Sequence, residues 1–286
     1  MSFPPRCVTL PACGSLIVST DLHGNLADYL TLEQLFLAAR AKSEEVHWAI
    51  LGDVVHGPNP DDAGREPHLY GYKDESPELI ARLTELHAKH AGHVHLVLGN
   101  HDHGHVGGLR TAKFHDDEVE HLESLLNDEE SAQMHRLFEG GSLLLLAPCG
   151  ALMSHGSPGP ELLSLAQLEG PLVGPEEGDE PGRLRWRAIQ SVLWSYGQSP
   201  SVTNALLARL SVEAGFRLKF VIHGHDRDEQ GLVIEGENQL QPVIFGALKE
   251  EKRYLWLDLG TEYKNLRKLR EGHEIRRLYP DCEPAL

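Results

Sequence analysis

Short apolar runs that stop abruptly at polar, glycine-bearing turns recur along the chain. Leu16-Ile17-Val18-Ser19 leads into Thr20-Asp21-Leu22-His23-Gly24-Asn25, and Val46–Leu51 leads into Gly52-Asp53-Val54-Val55-His56-Gly57. His95-Leu96-Val97-Leu98 ends in Gly99-Asn100-His101-Asp102, and Leu218–Ile222 ends in His223-Gly224-His225. Continuous apolar runs of this length, bounded by turn residues, predict buried strands. Between them the apolar positions change to helical spacing. Leu26, Leu30, Leu35 and Ala39 predict a helix to about Arg40; Leu79, Ile80, Leu83 and Leu86 predict another from Pro77, with Ser76 as N-cap. The charged stretch 116–138 is helix-prone.

Leu143–Ala147 and Ala151–Ser154 predict paired strands around Pro148-Cys149-Gly150, the second ending in His155-Gly156. Helices follow near Leu184–Tyr196 and Val202–Ala214, and further strands at Leu232–Ile234, Val243–Phe245 and Tyr254–Leu259. Alternating strands and helices define an α/β class. Two stretches stand outside the pattern. Residues 58–76 form a polar stretch too long for an ordinary connection, and 169–182 are rich in Gly, Pro and Glu, as in a flexible acidic loop. No repeat or compositional break divides the 286 residues, so one domain over 1–286 is expected, its core at about 14–260.

Composition narrows the setting. Cys7, Cys13, Cys149 and Cys282 lack any CxxC pairing, which argues against a zinc ribbon or disulfide framework and for reduced thiols in the cytoplasm. The N-terminal stretch has no sustained apolar run and no segment is long enough to cross a membrane, so no membrane partner is expected. Acidic residues outnumber basic ones 43 to 26, a formal charge of −17 that repels phosphate backbones and argues against duplex nucleic acid. The 18 histidines point instead to metal ligation or proton transfer.

Five of the turns carry ligand-type side chains in order: Asp21 with His23, Asp53, Asn100 with His101, His155, and His223 with His225. Ligand sites in α/β sheets gather beyond the carboxyl ends of the strands, so adjacent strands would bring these side chains together. Carboxylates, an amide oxygen and imidazoles make a mixed O/N set suited to Mn, Fe or Zn. Such a set can hold two ions with a carboxylate between them, able to orient a phosphoryl group and lower the pKa of a water.

The motifs "DLHGN" (Asp21–Asn25), "GDVV" (Gly52–Val55), "GNHD" (Gly99–Asp102), "HGSP" (His155–Pro158) and "HGHD" (His223–Asp226) resemble those of the calcineurin-like metallophosphoesterases, over roughly Leu16 to Leu259. "VLWS" (Val192–Ser195) and the tail strands are similar to the phosphoprotein phosphatase (PPP) branch. The resemblance implies a two-sheet αββα sandwich and two divalent ions, Mn first, with Fe, Zn or Ni as alternatives. By position it makes Asp21 and His23 ligands of the first ion, Asp53 the bridge, and Asn100, His155 and His225 ligands of the second, with His223 as alternative. His101 becomes the general acid that protonates the leaving alkoxide while a hydroxide held by the two ions attacks phosphorus.

At its second motif that branch reads Gly-Asp-x-x-Asp-Arg-Gly, but here His56 and Gly57 replace the Asp-Arg pair. A carboxylate beside the general acid and a bidentate phosphate clamp are therefore both missing. Arg65 or Lys73, from the inserted loop, is expected to contact substrate phosphate, with His56 lining the site; a solvated loop is the alternative. Trp186 and Trp194 are expected in the core. The implied activity is hydrolysis of phosphate monoesters on a phosphorylated protein or small molecule, with phosphoserine and phosphothreonine favoured. Nucleotides, dinucleoside polyphosphates or cyclic phosphodiesters are alternative substrates for the same centre, and an inactive binding scaffold is the alternative of another class.

Overall fold

The computed structural model describes residues 3–174 and 180–282. In chain order the first elements are β1 (Cys7–Thr9), β2 (Ser15–Ser19), α1 (Leu26–Arg40), β3 (Val46–Leu51), α2 (Pro60–Arg65), α3 (Pro67–Tyr70) and α4 (Ser76–Lys89). Next come β4 (Val94–Val97), α5 (Asn100–His103), α6 (Glu118–Ser124), α7 (Asp128–Glu139), β5 (Leu144–Ala147) and β6 (Ala151–Met153). The rest comprises α8 (Glu180–Trp194), α9 (Pro200–Ala214), β7 (Phe220–Ile222), β8 (Leu232–Glu235), β9 (Gln239–Pro242), β10 (Arg253–Asp258) and β11 (Ile275–Arg277).

These strands make two sheets, ordered β1-β5-β6-β7-β9-β8 and β11-β10-β2-β3-β4. Strand β3 shows why its sequence is apolar throughout: every residue from Val46 to Leu51 is buried. Ala49 and Leu51 face the other sheet with Leu145, Met153 and Ile222, whereas Trp48 and Ile50 join the outer helices. A strand covered on both faces loses the alternation of a half-exposed one. Helix α1 begins where the Asn25 side chain accepts the Asp28 N–H at 3.1 Å. It sets Tyr29 and Phe36 against Trp48, with ring centroids 5.7 and 6.0 Å apart. Truncating Trp48 to alanine would cost roughly 3–5 kcal/mol of stability.

The parallel register of β2, β3 and β4 places the turns after them at one edge of the sandwich. Strands β6 and β7, also parallel, deliver the turns after Met153 and Ile222 from the second sheet. The two-sheet αββα architecture is thus the expected one, and its layers aim five turns at one place.

Three local expectations are corrected. Ser76 does not cap α4; its hydroxyl bonds Asp74 and accepts the His56 N–H at 3.0 Å. The 58–76 stretch contains the short helices α2 and α3. The strand expected at Val243–Phe245 is β9 at Gln239–Pro242. Its polar residues are buried because their amides are bonded, Gln239 Oε1 accepting from Ser157 Oγ at 2.6 Å and from the Gln198 N–H at 2.8 Å. A hydropathy pattern misses such a strand. Of the acidic loop expected at 169–182, residues 175–179 lie outside the described residues, and Glu180 already begins α8. All four cysteines are free thiols. Among the described residues no helix is long and apolar enough to cross a membrane.

Candidate active site

The turns at this edge are strained. Asp21, His23, Asp53, His56 and His225 are the non-glycine residues with positive φ among the described residues, at 45°, 42°, 51°, 66° and 76°. Left-handed backbone costs a residue with a Cβ roughly 1–2 kcal/mol, so it persists only where surrounding bonds over-determine it. Those bonds are present. Asp102 Oδ2 accepts the N–H groups of Asp53 and Gly99 at 2.8 and 2.9 Å, and its Oδ1 accepts that of Val54 at 3.0 Å. His23 N–H donates to the Asp53 carbonyl at 2.8 Å. Gly99 is required by close approach, since a Cβ there would stand 2.1 Å from Asp53 Oδ1.

Ligand-type atoms converge at the floor. His155 Nδ1 lies 2.8 Å from the Leu51 carbonyl, which can only accept, so Nδ1 carries a proton and Nε2 is the ring nitrogen turned into the cluster. That Nε2 faces Asn100 Oδ1 at 2.9 Å and Asp53 Oδ2 at 3.3 Å. His225 Nδ1 is 3.1 Å from the same Asn100 oxygen and 3.2 Å from His155 Nε2. On the other side of Asp53, His23 Nδ1 faces the His56 carbonyl at 3.0 Å, leaving its Nε2 directed to Asp53 Oδ2 at 3.6 Å. Asp21 lies beside the second group, accepting the His225 N–H at 3.1 Å.

A buried cluster of carboxylates, an amide oxygen and imidazoles is favourable where a cation can be coordinated among them. Burial alone would lower the His155 pKa, but Asp53 and Asp21 raise it to about 9, so the cluster recruits positive charge. Burial and the neighbouring Asp53 raise Asp21 to about 7. Asp21, His23, Asp53, Asn100, His155 and His225 could hold divalent cations, Asp53 being common to the group with His23 and the group with His155 and His225. Six hard or borderline O and N donors suit Mn, Fe or Zn.

Behind this floor stands a group that pattern analysis did not single out. Glu118, at the start of α6, is fully buried, with Oε2 3.1 Å from His101 Nδ1 and 3.7 Å from His56 Nδ1. Its Oε1 accepts the Phe114 N–H at 2.9 Å. Burial would raise this carboxyl, but the hydrogen bond and charge of His101 hold it down to about 2. The opposite ring nitrogen of His101, Nε2, points towards Asp53 Oδ2 at 4.0 Å.

A cleft of about 520 Å³ opens above the floor, lined by His23, Asp53, Asn100, His101 and His225. Arg110, Lys113 and Arg227 supply cations to its wall, and Trp194 and Tyr196 an aromatic rim. Lys113 Nζ lies 4.3 Å from the Phe245 ring centroid. Its side chain remains open to solvent through the cleft, yet the enclosing walls lower the ammonium to about 8. Arg227 donates to the Tyr70 hydroxyl at 2.6 Å, and Arg110 pairs with Asp117.

Asp21, His23, Asp53, Asn100, His101, His155 and His225 are thus brought together. His223 is not: its Nδ1 meets the Gly224 carbonyl at 2.9 Å and its Nε2 is buried without a partner. His56 lies behind His101, with Nδ1 to Nδ1 3.1 Å, rather than on the cleft wall. Arg65 is turned to solvent and paired with Asp62 at 3.0 Å, and exposed Lys73 does not line the cleft. Trp186 packs against the core as expected, whereas Trp194 also borders the cleft.

Two apposed sheets whose turns gather cation ligands beneath a cationic cleft define a metal-dependent hydrolase of phosphoesters. The chain belongs to the calcineurin-like phosphoesterase family, whose model matches residues 14–227. None of the curated proteins compared matches the sequence. Among solved structures, a protein serine/threonine phosphatase from Saccharomyces cerevisiae superposes with a TM-score of 0.55 at 17% identity, covering 89% of this chain and 77% of that one. The cold-active protein-tyrosine phosphatase of a psychrophilic Shewanella species gives 0.56 at 14% identity, covering 91% and 79%. At these identities the likeness is one of fold.

Proposed function

We propose that the chain is a single-domain phosphatase that hydrolyses phosphate monoesters in the cleft, with phosphoserine and phosphothreonine substrates favoured. The observation that carries this reading is the convergence of imidazole, carboxylate and amide ligand atoms from both sheets on Asp53, with His101 beside them. Divalent ions there, Mn first, would supply Lewis-acid charge to the phosphoryl oxygens and a nucleophilic water at neutral pH.

The protein's own groups account for the remaining needs. Lys113 and Arg227 bind the non-bridging phosphoryl oxygens, in the role expected of Arg65 and Lys73. His101 presents Nε2 to the leaving oxygen. As the ester P–O bond breaks, that nitrogen donates its proton to the departing alkoxide, so the products are an alcohol and inorganic phosphate. Glu118 holds the ring from the Nδ1 side, substituting from α6 for the carboxylate missing at His56. The serine/threonine and tyrosine phosphatases of like fold agree with a monoester substrate.

The aromatic rim favours a second reading. Tyr196 is largely exposed, and its ring stands 4.9 Å from that of His225. A nucleotide base could stack there while its phosphates meet the three cations. A panel of phosphopeptides, nucleotides, dinucleoside polyphosphates and cyclic phosphodiesters, compared by kcat/KM with saturating Mn, separates these substrates. Highest values for phosphoserine or phosphothreonine peptides support the first reading. A preference for nucleotides that disappears in Tyr196→Ala moves the assignment to the second. No turnover of any substrate with Mn, Fe, Zn or Ni points to a binding scaffold.

A further inference from the structure

A second ligand cluster lies outside the cleft. His105 sits in the single 3-10 turn Gly104–Val106, Glu123 on α6 and His135 on α7. Glu123 Oε1 is 3.0 Å from His105 Nδ1 and also 3.0 Å from His135 Nε2. Two imidazole nitrogens from different elements thus address one carboxylate oxygen, and the three ligand atoms lie within 4.8 Å of one another. None of the three residues lines the cleft.

We propose that His105, Glu123 and His135 bind one borderline transition-metal ion of the zinc class, separate from the ions of the cleft. Two imidazoles and a carboxylate are a set that zinc takes with its fourth position open to water. Bonds of about 2.0–2.1 Å at tetrahedral angles space neighbouring donors about 3.3 Å apart. The observed 3.0 Å contacts need to open by only a few tenths of an ångström. The His105 side chain is fully buried, while those of Glu123 and His135 are 35% and 38% exposed, so one ligand is anchored and the ion has a path from solvent.

The buried side of this cluster reaches the active site. His105 Nε2 is 3.0 Å from His56 Nε2, and His56 Nδ1 is 3.1 Å from His101 Nδ1. An ion on His105 Nδ1 fixes that ring's proton on Nε2, where it can donate to His56. The site would then be a structural tie behind the general acid, joining the 104–106 turn to α6 and α7.

Metal counting tests the site without reference to activity. The full chain is dialysed against zinc and the bound ions are counted by atomic emission for the parent, Glu123→Gln and His135→Gln. Each variant is predicted to hold one ion fewer than the parent, whatever number the cleft holds. Cobalt loading of an Asp53→Asn, His155→Ala chain should then leave one tetrahedral visible absorption, which vanishes when His135→Gln is added. Equal ion counts in the parent and both single variants would overturn the proposal. Because His135 is partly exposed, its variant should fold, as circular dichroism checks. If the Asp53→Asn, His155→Ala chain does not fold, the difference in count between the parent and His135→Gln decides alone.

Discussion

The sandwich carries histidines at both ends of β3 and β4, and the two groups differ. At the amino ends, His47 Nδ1 meets His95 Nε2 at 3.2 Å, and the His47 and His93 rings stack with centroids 4.8 Å apart. At the carboxyl ends, His23, His101 and His155 surround Asp53; His23 and Asp53 stand on left-handed backbone and, with His101, open into a cleft. The amino-end group has no carboxylate at its centre. Burial lowers both His47 and His95, the latter to about 3. Histidine abundance alone therefore does not mark a metal centre. Ring nitrogens directed at a buried carboxylate, on strained turns, do.

Substitution at the two ends gives the largest contrast. Asp53→Asn should lower Mn-dependent hydrolysis of an aryl phosphate by on the order of a thousandfold or more, since it removes the carboxylate common to both candidate ligand groups. His47→Gln should leave kcat/KM within about twofold, because it lies at the opposite end of the sheet. Comparable losses from both would break the distinction between a working and a merely buried cluster.

The general acid comes next. His101→Ala should reduce kcat roughly 10²–10⁴-fold for a substrate with a poor alkoxide leaving group. The loss should shrink for an activated aryl phosphate, whose leaving oxygen needs no proton. Glu118→Gln should cost less, about tenfold in kcat with KM little changed, and should also shift the pH profile of kcat. An unaltered profile would leave Glu118 a purely structural residue.

A smaller effect concerns phosphate binding. Lys113→Ala should raise KM about tenfold, the loss of one charged contact of about 1.4 kcal/mol, while Lys73→Ala and Arg65→Ala should match the parent. The reverse pattern in KM would return the phosphate contact to the 58–76 stretch.

Acid stability probes the amino-end group with the smallest shift. The unfolded chain protonates His95 near pH 6.5, whereas the folded one, through burial and then His47, resists until about 3. The unfolded state therefore binds more protons between these values, and stability falls as pH drops from about 6.5 to about 4. Each such group contributes up to about 1.4 kcal/mol per pH unit. The gap between urea midpoints at pH 7.5 and 5.0 should narrow in His95→Gln, the other depressed histidines keeping part of it; an undiminished gap would mean that His95 does not contribute to acid sensitivity.

Much of this centre was legible because its chemistry is local to strand ends. Asp21, His23, Asp53, Asn100, His101 and His155 each follow an apolar run, and parallel register does the rest. The choice of His225 over His223 followed from the glycine before it and agrees with the Nδ1 contact to Asn100. Glu118 and Lys113 were not found, since they reach the site only through the tertiary path of residues 104–123. A signal was present: Arg110 and Lys113 stand close after "GNHD" in a strongly acidic chain. Arg65 and Lys73 have the right charge for a phosphate contact, but Arg65 at the end of α2 pairs with Asp62 at the surface and Lys73, beyond α3, does not line the cleft.

The proposed mechanism requires that the donors gathered around Asp53 hold the ions on which phosphoester hydrolysis depends. Its most direct test is the rate of aryl phosphate hydrolysis by chelator-treated protein, titrated with Mn and compared between the parent and Asp53→Asn. The account predicts negligible rate without metal, saturable restoration in the parent and none in the variant. Hydrolysis that needs no metal, or that is restored equally in both, would contradict it.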